Sequence, residues 1–148
     1  MGKAGTAKMI RRYREDKAKC LWTEKRRPRL LEKATVMIGS LVDADYDKAC
    51  KTIDSTRLSN NDKNMLKSYI KAKIRTDVTE TAVYERLDES VLPIAEDIFI
   101  EVMKVNDIAE KYEVNEKTVR RIRDKGIEAI FDEITLRTEA GNDLSSVF

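Results

Sequence analysis

Apolar side chains recur at three- and four-residue intervals along most of this chain, and that spacing constrains the fold more than any other feature. Leu30, Leu31, Ala34, Ile38 and Leu41 follow it, as do Met65, Leu66, Tyr69, Ile70 and Ile74, and then Ile94, Ile98, Phe99 and Val102. Each set lines one side of a helix and leaves charged residues on the other. Little interrupts the pattern: 148 residues include five Gly and two Pro, too few for the turns of a multi-stranded sheet. An all-α fold is expected.

A chain of this length can bury a core without a disulfide or metal staple. There is no His, and Cys20 and Cys50 are the only cysteines, so ordinary zinc ligand sets and His-based catalysis are excluded by inventory. No run of 18 apolar residues occurs and the N-terminus is charged, which points to a soluble chain of the reducing cytoplasm with no membrane span or signal peptide. The carboxylates are scattered along helix faces, and there is no Gly-rich phosphate loop. Neither an enzyme nor a cofactor is expected from that inventory. Asp43, Asp45, Asp47 and Asp54 are spaced like a calcium loop, but Lys48 stands where the sharp turn needs Gly and Asp54 is one methylene short of the usual Glu. These acids are expected to cap and lead a helix instead.

Four regions follow from the pattern. Residues 1–28 form a basic arm with one short helix from about Ala7 to Cys20, Trp22 as its large anchor and Pro28 as punctuation. Residues 29–88 form a helical region to which an oligomerising role is open. Its helices run from Arg29 to Leu41, from Asp45 to Ser55, and onward from Ser59, which caps with Asp62 three residues on. Asp77 and Glu80 form a second cap pair, so a kink or restart is expected near Thr76. Residues 90–134 hold three helices, Pro93–Met103, Asn106–Tyr112 and Glu116 to about Ile134, with Pro93 suited to a first turn. Residues 135–148 lose periodicity and are expected to be a loose tail.

Charge is distributed unevenly. Residues 1–33 carry twelve Lys and Arg against four Asp and Glu, whereas the whole chain is only +2, so the remainder is net acidic. Such an arm attracts nucleic acid, or is simply a solvated tail. Its arginines Arg11, Arg12, Arg14, Arg26, Arg27 and Arg29 are the candidate phosphate contacts. The stretch "EKRRPR" reads equally as a minor-groove arm or a solvated linker.

The stretch "NDIAEKYEVNEKTVRRIRDK", Asn106–Lys125, concentrates the functional signal. Ile108, Ala109 and Tyr112 share one helix face, and Val119 and Ile122 share another. One continuous helix would rotate Val114 off the stripe, whereas a turn after Tyr112 lets Val114 plug the corner between two crossing helices. Asn115 then caps the second helix by accepting from a backbone N–H one turn in. Ala109 lies at the crossing, where a small side chain permits close approach. With Val119, Ile122, Ile127 and Ile130 facing inward, Asn115, Glu116, Lys117, Thr118, Arg120, Arg121 and Asp124 are the candidate DNA-binding residues. Residues 90–134 hold eleven acidic and seven basic residues, so the positive charge of Lys117, Arg120, Arg121, Arg123 and Lys125 is focal.

The series Ile108-Ala109, Tyr112, Val114-Asn115, Thr118-Val119 and Ile122 resembles the helix-turn-helix of sigma-factor region 4, and Leu92-Pro93 ahead of an apolar helix adds to the likeness. Glu113 departs from it, occupying the turn position that usually holds Gly because φ is positive there. With a basic N-terminal part, the arrangement is similar to phage late-transcription regulators of the ArpU and RinA type. The likeness covers about a third of the chain. It implies a phage or prophage transcription regulator that binds double-stranded DNA, with RNA polymerase or another transcription protein as partner and a homo-oligomer as one form. Two alternatives stand beside it: a DNA-packaging factor like a small terminase subunit, and a protein-interaction adaptor on a helix-turn-helix fold.

Overall fold

Helical periodicity without helix breakers produces helices throughout. The structure, a computed structural model, describes residues 3–148, with side chains for residues 8 and 10–148. Among the described residues the fold is all-α. Seven helices follow in order: α1 (Lys3–Arg26), α2 (Pro28–Ile38), α3 (Tyr46–Asp54), α4 (Asn60–Arg86), α5 (Leu92–Phe99), α6 (Val105–Tyr112) and α7 (Glu116–Glu139). A single 3-10 turn, Glu89–Val91, precedes α5. No helix among the described residues is long and apolar enough to cross a membrane. The chain forms two units. One comprises residues through Arg14 with Val78–Leu136, and the other Glu15–Asp77 with Arg137–Phe148.

In the second unit the apolar stripes meet as their spacing requires. Leu30 and Ala34 of α2, Ala49 and Ile53 of α3, and Leu66, Ile70 and Ile74 of α4 are all buried. Asp45 caps α3, its carboxylate accepting from Lys48 N at 3.1 Å. Ser59 caps α4, accepting from Asp62 N at 3.1 Å, while Asp62 itself turns to Arg27 at 3.0 Å. Buried charge is paired: Arg75 donates to Asp16 through Nε and Nη2, at 3.1 and 3.2 Å, and through Nη1 to the Val147 carbonyl at 3.2 Å. These three hydrogen bonds offset part of the desolvation that a buried ion pair incurs.

The first unit carries the motif. Its core draws on Val78 and Val83 of α4, Ala95, Ile98 and Phe99 of α5, Ile108 of α6, and Val119 and Ile130 of α7. Tyr13 of α1 is buried with its hydroxyl donating to Glu80 at 2.7 Å. Arg86 donates to Glu133 at 3.1 Å.

Several expectations need correction. The arm is one long helix through Arg26, because Tyr13, Asp16, Cys20 and Thr23 recur at helical spacing and all are buried. Residues 1 and 2 of it lie outside the described residues. Trp22 is no anchor: it is 48% exposed, with the Arg26 guanidinium 5.5 Å over its ring. No restart occurs at Thr76. The buried series continues unbroken from Ile74 to Val78 and Ala82, and Asp77 accepts from Arg137 at 2.7 Å rather than capping. Helix α5 stops at Phe99, short of Met103, because the chain turns at Val102, where φ is 53°, and returns Met103 N to the Asp97 carbonyl at 2.8 Å. The tail is not loose: α7 runs to Glu139, and Leu144 and Val147 are buried. Arg75 gives that last segment a polar anchor at Val147, which no local spacing reveals.

Candidate nucleic-acid interface

The connection between α6 and α7 is three residues, Glu113, Val114 and Asn115. Glu113 is left-handed, with φ 53° and ψ 44°, and its N–H together with that of Val114 returns to the Glu110 and Ala109 carbonyls at 3.3 and 3.0 Å. This closes the end of α6 at the cost of placing a Cβ where Gly is usual. Val114 is half-buried at the corner. Asn115 then caps α7: its side-chain oxygen accepts from Lys117 N at 2.8 Å, and its carbonyl accepts from Thr118 N at 2.9 Å.

What turns the rest of α7 outward is the burial of its inner face. Val119, Ile122, Gly126, Ile127 and Ile130 are buried. Gly126 permits the closest approach. A Cβ built there would lie 2.2 Å from Cε2 and 2.3 Å from Cζ of Phe99, itself wholly buried on α5. The helix therefore crosses α5 with no room for a side chain at that point. Asn115, Glu116, Lys117, Arg120, Arg121 and Asp124 are in consequence exposed, and Thr118 is half-buried. All of these except Glu116 line one shallow concavity at the start of α7. Arg120 lies 3.9 Å from Glu116 one turn back, an exposed pair at the outer limit of contact that contributes little.

A polar hub fixes α6 against α5. The buried Asp97 carboxylate accepts from Lys111 at 2.8 Å and from the Tyr112 hydroxyl at 2.7 Å, and that hydroxyl also lies 3.2 Å from the Pro93 carbonyl. The hydrogen bond to Asp97 raises the pKa of both Lys111 and Tyr112. Neither Gly126 nor Asp97 was expected to matter from sequence. Each left a signal, a lone Gly inside a helical run and an Asp one residue before Ile98 on the apolar side of α5.

The six arm arginines divide between the units. Arg11 and Arg12 are exposed on α1 in the first unit, and Arg14 there donates to the Glu101 carbonyl, tying α1 to the connection ahead of α6. Arg26, Arg27 and Arg29 belong to the second unit, with Arg26 over Trp22, Arg27 paired with Asp62, and Arg29 exposed at the start of α2. Arg11, Arg12 and Arg29 are thus free to meet an external anion, whereas Arg14 and Arg27 hold the chain together. No protein-family model matches the chain, and neither a curated protein nor a solved structure does.

Proposed function

We propose that the chain binds double-stranded DNA sequence-specifically through the start of α7 and regulates transcription, as its resemblance to phage late-transcription regulators implies. One observation supports this most: Lys117, Arg120 and Arg121 stand exposed at the N-terminal end of a helix whose opposite face is locked by Val119, Ile122 and Gly126. In a helix-turn-helix that end enters the major groove, where Arg makes bidentate contacts to guanine. Asn115, with its amide at the first turn, and the exposed Arg11 and Arg12 are suited to position phosphates, which fix register without reading bases. RNA polymerase or another transcription protein is the protein partner this reading implies.

The test is paired substitution. Arg120→Ala and Arg121→Ala should each weaken binding to a selected site by roughly 1–3 kcal/mol and relax preference at one base pair. Both residues are exposed, so the helical circular-dichroism signal should be unchanged. Unaltered affinity in both variants would remove this face from any role in DNA recognition.

A further inference from the structure

Val36 projects from the outer face of α2 with 88% of its surface exposed, while Leu30 and Ala34 on the inner face are buried. Two apolar grooves flank it. One is lined by Arg29, Lys33, Met37, Arg57 and Leu58, the other by Glu24, Pro28, Leu31 and Thr35, and Glu32 and Val36 border both. A ridge beside a groove is self-complementary, because a second copy offers the same ridge to the same groove. The charges make the match directional. Arg29, Lys33 and Arg57 border one groove and outnumber the shared Glu32 there, whereas the other groove adds Glu24 to Glu32 and has no cation among its lining residues. Glu24 is engaged by Lys73 at 3.0 Å, so Glu32 is the carboxylate available to a partner.

We propose that the outer face of α2 is the interface of a two-fold homodimer in which the two α2 helices run parallel and each Val36 seats against Met37 and Leu58 of the other copy. With the axis parallel to α2, the cationic side of each copy faces the carboxylate side of its partner. An antiparallel pairing would set Arg29, Lys33 and Arg57 against their own images, and like charges in an interface core oppose association. Burying Val36 and Met37 supplies the apolar contact, and the charges set its orientation.

Sedimentation equilibrium of the full chain without DNA tests the proposal, so that its failure is separable from failure of the DNA-binding reading. The wild type should approach twice the 17.0 kDa chain mass with rising concentration. Val36→Asp should raise the dissociation constant by about tenfold or more, the change carried by losing one buried aliphatic contact from each copy. Its helical signal should be unchanged, because the side chain is exposed in the single chain. Val36→Cys should form a disulfide with its own copy under mild oxidation, well above the wild-type background from Cys20 and Cys50. A strictly monomeric wild type would overturn the proposal. So would a dimer indifferent to Val36→Asp, and a dimer in which Val36→Cys does not crosslink would overturn the parallel arrangement.

Discussion

Replacing Gly126 with Ala pits two effects of opposite sign. In an exposed helix interior the change would stabilise by ~1 kcal/mol, since Ala loses less backbone freedom on folding. Here the new methyl would fall 2.2 Å from Phe99 Cε2 and 2.3 Å from Cζ. Carbon atoms in contact rest at about 3.5–4.0 Å, so the ring or the helix must give by more than 1 Å. Phe99 is fully buried and has no solvent side to move into. Overpacking of this kind costs ~1–3 kcal/mol, and the absence of an escape route places it at the upper end. After the propensity gain, a net loss of about 2 kcal/mol is expected, which lowers the melting temperature by roughly 4–8 °C for a chain of this size. The assay is thermal unfolding followed by circular dichroism, with a double-mutant cycle through Phe99→Leu. The smaller side chain should make Gly126→Ala less costly than it is in the wild type. A melting temperature that rises with Gly126→Ala alone would refute the close crossing of α5 and α7.

Further outcomes follow from the same unit. Ala109→Leu should destabilise by ~1–3 kcal/mol through overpacking at the α6–α7 crossing, whereas Glu113→Gly should stabilise by up to ~1 kcal/mol by relieving the left-handed turn; thermal melts of both variants check the pair. Lys111 and Tyr112 both have pKa values raised by Asp97. Their contribution is therefore complete below the unfolded values, near pH 10, and is lost as the pH rises through the folded ones. Melting temperature should fall above about pH 10, and more gently in Tyr112→Phe; identical profiles would show that the hub does not couple to folding. Arg11→Ala with Arg12→Ala should flatten the dependence of log affinity on log salt by up to about 1.8, at 0.9 per phosphate contact, and weaken all duplexes alike. An unchanged slope would take α1 out of DNA binding.

Helix identity was legible in the sequence wherever a stripe was uninterrupted. The turn after Tyr112 and the Asn115 cap follow from short-range spacing and backbone chemistry, the positive φ at Glu113 follows from the helix-turn-helix likeness, and each is present in the structure. Long-range partners were not legible. Asp77 reads locally as a cap, yet Arg137, sixty positions away, engages it and α4 runs on through the expected break. The last residues have no periodicity, but Leu144 and Val147 find a core, and Arg75 reaches Val147 across 72 positions. Trp22 shows the reverse error, since size alone suggested an anchor while the positions flanking it, Cys20 and Thr23, are the ones that are buried. At the candidate site, the exposed set was readable from the apolar stripe of α7. Gly126 and Asp97 act through the residues they meet on other helices, and a one-dimensional pattern does not contain those.

The central claim is that the exposed start of α7 reads base sequence. Selection of bound duplexes from a random-sequence pool by the purified full chain tests it most directly, with sequencing before and after enrichment. A common motif should emerge, bound about 10³-fold or more tightly than random duplex at physiological salt. The same selection with Arg121→Ala should lose preference at one position of that motif. A pool that retains its starting composition after repeated selection, while the protein still binds DNA, would contradict sequence reading by α7.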